Sequence, residues 1–331
     1  MLTLSVLDQS PIAEGSSGAD ALHRSVDLAR RADQLGYRRY WVAEHHGAAS
    51  LACAAPEVLI GAVAGATSRM RVGSGGVMLP HYSPLKVAEV FSMLAALHPG
   101  RIDLGLGRAA GTDGLTAFAL QRNRQHGAPD DFPDQLRELL AYLNDAFPEG
   151  HRFARLAQLP GRPACAVPWL LGSSPDSAGW AADLGLPYAF ADFINPGQGH
   201  IAHHYRTTFQ PSASQPAPYV MVAAWVICAD TDEEAQRLAA SSRMTFALLQ
   251  QGRLIPVPPV ETALRYLEAH AGERNPFART RRAIVGAPAT VIPKLQTLAE
   301  EYGADEVMVV TITYDHAARC RSYDLLAAAL G

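Results

Sequence analysis

The 331-residue chain is predicted to be an α/β protein, a parallel (β/α)8 or TIM barrel with insertions after its fourth and seventh strands. Three observations predict this. Short apolar segments alternate with helical ones through eight strand candidates, a rhythm that implies parallel pairing and right-handed crossovers. Only two stretches break the rhythm, 108–131 and 230–283, and both follow the C-terminal ends of strands, where barrels place their substrate loops. The rival, a doubly wound open sheet, would carry a dinucleotide fingerprint. The nearest candidate, Gly105-Leu-Gly107-Arg-Ala-Ala-Gly111, has one residue too many before its third glycine.

Each element has its own signal. An apolar strand over 2–7 is stopped by Asp8-Gln-Ser-Pro11. Leu22, Val26, Ala29 and Ala32 recur at three- and four-residue spacing, marking a helix that ends at Gly36. Strand 40–43 precedes helix 56–67, strand 70–77 precedes helix 84–97, and strand 101–107 leads through the first long connection to helix 134–147. Strand 169–171 pairs with helix 177–184, and strand 188–191 with a helix near 201–209. Strands 219–228 and 306–311 complete the eight. The stretch 108–131 is glycine-rich and polar, whereas 230–283 contains helical pieces at 233–249 and 261–271 and is broken by Pro256, Pro258 and Pro259. Both read as lids or insertions within one domain spanning 1–331.

Composition narrows the partners. The chain is 48% hydrophobic and 18% charged, enough to build a large core, and its net charge of -4 offers no basic footprint for nucleic acid or an anionic membrane. Cys53, Cys165, Cys228 and Cys320 are scattered, as expected for reduced thiols in the cytoplasm. The N-terminus lacks the basic region and apolar core of a signal peptide, and no apolar run is long enough to span a bilayer. A cytoplasmic enzyme acting on a small molecule is the expectation.

The chemistry-bearing residues fall where strands end: Asp8, then Glu44-His45-His46, Gly75-Gly76, Arg108, Gly172-Ser173-Ser174 and Asp192. Adjacent histidines on a strand point to opposite sides, so one of His45 and His46 faces a central cavity, as a packing residue or as an acid/base group near neutral pH. Gly75-Gly76 reads either as a bulge or as bare backbone against which a flat ring lies. Ser173, Ser174 and Ser177 precede or open a helix, where one serine caps by habit. Three hydroxyls together with Arg108 also make a phosphate cradle.

Five segments in order resemble one family: Trp41-Val-Ala-Glu-His-His46; Val72-Gly-Ser-Gly-Gly-Val-Met-Leu-Pro80 with Pro84 and Ala88-Glu89; Pro99-Gly-Arg-Ile-Asp-Leu-Gly-Leu-Gly-Arg108; Gly172-Ser-Ser-Pro-Asp-Ser-Ala-Gly-Trp-Ala-Ala182; and Val285-Gly-Ala-Pro288. Over nearly the whole chain they resemble the bacterial-luciferase-like flavin-dependent monooxygenases. The resemblance implies FMN, used in its reduced form with O2 through a C4a-hydroperoxyflavin; no metal is expected, since the sequence lacks a His-Glu-x-x-His helix or a comparable ligand cluster. The resemblance also implies a separate NAD(P)H:flavin reductase and a homodimer built from barrel helices. By motif position His45 resembles the family's histidine beside the flavin, Gly75-Gly76 fall at its non-proline cis peptide, and Arg108, Ser174 and Ser177 on its phosphate contacts. Ser173 stands where the luciferase α-subunit has a carboxylate. Gly107 replaces the cysteine before the arginine, so light emission is not carried over.

The leading expectation is therefore a two-component FMN monooxygenase of a small organic substrate, with Asp8, Gln9, Tyr82, Asp113 and Trp225 as candidate substrate contacts. The alternatives are an F420-dependent hydride-transfer oxidoreductase of the same fold, a flavin-binding protein without catalysis, and a metal-dependent hydrolase using Glu44, His45 and Asp8.

Overall fold

Every strand of the barrel runs the same way, so every strand ends at the same mouth. The computed structural model describes residues 2–109, 111–120, 131–156, 165–270 and 283–331; of the expected insertions, residues 110, 121–130 and 271–282 lie outside the described residues. In chain order the first half comprises β1 (Leu4–Asp8), α1 (Gly18–Leu35), β2 (Arg39–Val42), α2 (Pro56–Ala66), β3 (Arg71–Met78), α3 (Pro84–Leu97), β4 (Ile102–Gly107), α4 (Gly114–Leu120) and α5 (Phe132–Asn144). The second half comprises β5 (Val167–Gly172), α6 (Pro175–Asp183), β6 (Tyr188–Ala191), α7 (Gly199–Thr208), β7 (Val220–Cys228), α8 (Asp232–Leu249), α9 (Val260–Ala269), β8 (Ala283–Gly286), α10 (Pro288–Tyr302), β9 (Glu306–Val310) and α11 (His316–Leu330).

Local chemistry sets the helix ends. Ser17 caps α1 in a reciprocal capping box with Asp20, and Gly36 closes it at φ 85°, the left-handed conformation that a Cβ disfavours. Proline opens α2, α3, α6 and α10, where its missing N–H leaves no bond unmade.

Eight strands close the sheet in the order β1-β2-β3-β4-β5-β6-β7-β9 and back to β1, all parallel. The eight predicted strands are these eight, with edges displaced by at most two residues. The ninth strand, β8, was not foreseen. It is four residues long and pairs only with Trp225–Cys228, the end of β7 beyond the segment that pairs with β6. The expected insertion after β7 holds α8 and α9, and the one after β4 holds α4.

Two apolar layers hold the barrel. Outside, strands and helices bury residues such as Val6, Leu28, Val72, Leu104 and Tyr302. Inside, Leu7, Trp41, Trp169, Met221 and Met308 fill the lumen, and Trp41 meets Trp169 edge to face at 5.2 Å. Below them the N-terminal mouth is plugged by charge. Arg39 bridges Asp103 at 2.9 Å and Glu306 at 3.0 Å; Arg71 and the Trp41 indole N–H also donate to Asp103, and Tyr219 and Ser5 to Glu306. The N-terminal mouth is thus filled, and the predicted site residues lie at the opposite, C-terminal one.

Candidate active site

Four neighbouring strands, β2 to β5, build one arc of the C-terminal rim. β2 delivers Glu44, which is wholly buried and accepts hydrogen bonds from the Met78 amide (3.0 Å), the Tyr82 hydroxyl (3.0 Å) and Nε2 of His46 (2.7 Å). This carboxylate ties the end of β2 to the end of β3 and fixes His45 between its two neighbours. The backbone N–H of His45 is held by the Cys53 carbonyl at 2.9 Å, yet its side-chain Nδ1 is buried with no hydrogen-bond partner among the described residues. Burial first, and the adjacent His46 second, push the His45 imidazole down to about 4. At neutral pH it is an uncharged ring with an unused nitrogen.

β3 contributes Gly75 and Gly76, whose shared peptide bond is cis. The β3–β4 register slips between Ser74 and Val77, so the predicted bulge is present. A Cβ on Gly75 would lie 2.5 Å from Leu7 Cδ1, and one on Gly76 2.8 Å from the Gly105 carbonyl oxygen. Backbone therefore bars a side chain at Gly76, whereas at Gly75 the obstacle is the end of the Leu7 side chain.

Arg108 directly follows β4, and β5 leads into the turn that opens α6. Ser174 caps α6 in a reciprocal box with Ser177, while the Ser177 hydroxyl also meets the Tyr188 hydroxyl at 2.9 Å. Arg108 reaches across from β4, 3.6 Å from Asp176 in the first turn of α6 and 5.1 Å above the Trp180 ring. Ser173 accepts a hydrogen bond from Asn195 through its carbonyl (2.9 Å). Ser173, Ser174, Ser177 and Arg108 thus converge on one helix N-terminus, where backbone amides and the helix dipole favour an anion.

Residues 2–306 match the family model described as luciferase-like monooxygenase. The chain belongs to that family. It is similar to the luciferase-like monooxygenase of Escherichia coli (strain K12), 42% identical over 98% of this chain and 96% of the relative. It is also similar to the N-acetyl-S-alkylcysteine monooxygenase of Bacillus subtilis (strain 168), 38% identical over 100% and 98%. Among solved structures, apo-MsnO8 superposes with a TM-score of 0.91, at 43% identity and covering 99% of this chain and 97% of that one. Two more distant structures share the fold: the oxygenating constituent of 3,6-diketocamphane monooxygenase from Pseudomonas putida in complex with FMN (TM-score 0.73, 20% identity, 99% and 97% covered), and an F420-dependent secondary alcohol dehydrogenase with an F420-acetone adduct (0.69, 14%, 100% and 99%).

Within this luciferase-like monooxygenase two candidate contacts have other work. Asp8 is wholly buried and accepts from the Ser10 amide, the Tyr40 hydroxyl and Arg319 (2.6 Å). Burial opposes its charge, but Arg319 and the hydroxyls outweigh burial and hold the carboxyl below its usual range. Its acceptors are spent on the fold, not on a substrate. Asp113, exposed, accepts from the Leu115 and Thr116 amides and the Thr116 hydroxyl, which makes it the N-terminal cap of α4. Gln9 is buried beside Asp8; Tyr82 holds Glu44; Trp225 stacks edge-on to Phe193 at 6.1 Å on the lumen side. The hydrolase alternative loses its ligand set, because Asp8 is engaged by Arg319 and Glu44 by Met78, Tyr82 and His46. Glu44, Asn195 and Tyr188 were not predicted as supporting residues; the Glu44-His-His run was a legible hint for the first.

The His45 ring also makes a pH prediction independent of any ligand. An unfolded imidazole titrates near 6.5, whereas the folded one titrates at about 4. Between these values the unfolded chain binds a proton that the folded chain refuses, so the native state is progressively lost as pH falls through that window and keeps its full stability above it. His45→Gln should flatten this limb of the stability curve between pH 6.5 and 4, measured by thermal melts at stepped pH. Parallel acid limbs for the two proteins would remove the buried, unprotonated ring.

Proposed function

We propose that this monooxygenase is the oxygenating component of a two-component system, in which a separate NAD(P)H:flavin reductase delivers reduced FMN and the barrel uses it with O2 to oxygenate a small organic molecule. The observation that carries this reading is the joint presence, on one arc of the rim, of the anion cradle at α6 and an uncharged His45 whose Nδ1 has no partner among the described residues. The residues fit the cofactor. The α6 N-terminus with Ser174 and Arg108 would hold the phosphate, once Arg108 exchanges Asp176 for it, and the bare Gly75–Gly76 backbone would lie along the ring. Reduced FMN, when bound, supplies the electrons that activate O2. What this chain does is position: His45 offers a hydrogen bond from a neutral ring without flooding the site with acid, while Glu44, through Met78, Tyr82 and His46, braces the backbone on either side of it. Of the segments after β4 and β7, α4 and α8–α9 follow the C-terminal ends of their strands, the end at which barrels build their sites.

The relatives named monooxygenases, at 42% and 38% identity, favour oxygenation over F420 hydride transfer. The B. subtilis relative's name makes S-alkylated thiols the first substrates to test, a class of soft, electron-rich sulfur that accepts an oxygen atom readily. Cytoplasmic location and a homodimer complete the proposal; α2 and α3, which pack together, expose Val58, Met93 and Leu97, an apolar face suited to a second copy.

The test couples the protein to a flavin reductase, NADH and FMN and follows substrate gaining one oxygen atom by mass spectrometry, labelled from 18O2. Label absent from every product, together with tight F420 binding, would turn the reading to hydride transfer. For the cradle, Arg108→Ala should weaken anaerobic binding of reduced FMN roughly 10- to 100-fold, the worth of one charge-assisted phosphate contact. Affinity for reduced riboflavin, which has no phosphate, should not change. Equal losses for both ligands would place Arg108 elsewhere.

A further inference from the structure

The first and last helices bring together three side chains of the kinds that bind metals. His316 and Cys320 stand one turn apart on α11, at i and i+4, and so share a face. Asp27 meets them from α1. Nε2 of His316 lies 2.8 Å from Asp27 Oδ2 and 3.5 Å from Cys320 Sγ, and the three ligand atoms all fall within 4.8 Å of one another. An ion with tetrahedral bonds of about 2.0 Å to nitrogen and oxygen and about 2.3 Å to sulfur sets its nitrogen and sulfur about 3.5 Å apart and its nitrogen and oxygen about 3.3 Å apart. The first spacing is already present, and the second needs a displacement of roughly half an ångström by a side chain at the surface.

The surroundings suit a cation. Arg31 and Arg319, the cations acting on Cys320, are already paired with Asp324 and with Asp8. Cys320 and the His316 ring lie inward, while the Asp27 side chain is 63% exposed, so the fourth position opens to solvent and takes water. Thiolate, imidazole and carboxylate together favour a thiophilic divalent ion over magnesium or calcium.

We propose that Asp27, His316 and Cys320 form a zinc site that clasps α1 to α11. On binding, the metal takes the Nε2 lone pair, leaving the ring proton on Nδ1; it takes one carboxylate oxygen, and it displaces the Cys320 thiol proton to solvent. No electrons are transferred. This site is separate from the flavin reading and stands or falls without it.

Chelator-treated full-length protein titrated with Co2+ should develop a thiolate-to-cobalt charge-transfer band that saturates at one equivalent. Zn2+ should displace the cobalt and raise the melting temperature by roughly 3–6 °C at a hundredfold excess over Kd. Cys320→Ser should abolish the band, and His316→Gln should weaken binding at least roughly tenfold. Cys165→Ser, which removes the exposed thiol on another face, should change neither. Absence of the band in the wild-type protein, or its persistence in Cys320→Ser, overturns the site. Should Cys320→Ser fail to fold, the wild-type titration decides alone, with Asp27→Asn as the surface variant whose affinity must fall.

Discussion

Arg39→Met should destabilise the protein by about 3–5 kcal/mol, the usual cost of removing one partner from a buried ion pair. The Arg39 side chain is 5% exposed and its two carboxylate partners not at all. Its guanidinium lies 4.6 Å from the Trp169 ring centroid, so it also forms the floor under the apolar lumen. Removal leaves Glu306 with Ser5, Tyr219 and the more distant Arg38, and Asp103 with Arg71 and the Trp41 indole. Neither carboxylate can reach water to recover the loss. Most of the cost is thus that of two fully buried carboxylates left with only Arg38 and Arg71, both partly exposed, opposite them, rather than a missing attraction. The triple variant Arg39→Met, Asp103→Asn, Glu306→Gln should accordingly recover much of it. Chemical denaturation of the single and triple variants measures both. A single variant within about 1 kcal/mol of wild type would show that the plug at the N-terminal mouth is solvated.

The barrel was legible because its signals are local and repeated: strands 40–43 and 101–107 reappear as β2 and β4 almost residue for residue, and Gly36 ends α1 as its backbone freedom suggested. What escaped notice was long-range. Arg39, Asp103 and Glu306 each sit at or next to the start of an apolar strand, a placement that already argued for burial with a partner. Their pairing, however, spans up to 267 residues and follows only from closure of the sheet. β8 was missed because four residues after a long insertion carry too little periodicity to announce a strand. The site was half legible. Strand ends pointed to His45, Arg108 and the serines of α6, but strand ends cannot tell a carboxylate aimed at the cavity from one turned outward. Asp8 closes β1 as expected and then faces Tyr40 and Arg319, a partner from the last helix that no local pattern reveals.

The glycines of β3 and β4 should separate by the neighbour that an added methyl group meets. On Gly105 a Cβ would lie 2.1 Å from the Ser74 carbonyl oxygen, backbone against backbone where the β3–β4 register slips between the Ser74–Leu104 and Val77–Leu106 pairs. Neither atom can yield without breaking the β3–β4 pairing, so Gly105→Ala should cost about 4 kcal/mol or more, which is exceptional for one methyl group. On Gly76 the same group would sit 2.8 Å from the Gly105 carbonyl oxygen, a milder clash with the same strand, and about 2–3 kcal/mol is expected. On Gly75 the nearest atom is the end of the Leu7 side chain at 2.5 Å, which can change rotamer, and about 1 kcal/mol is expected. The order matters more than the values, since it ranks how firmly each position of the bare strand is fixed before any ring arrives. Urea melts of the three alanine variants read it directly, and a Gly75→Ala loss as large as that of Gly105→Ala would contradict the packing described here. Because Gly75→Ala should stay folded, it is also the variant in which reduced FMN binding can be compared with the wild type without a collapsed barrel confusing the result.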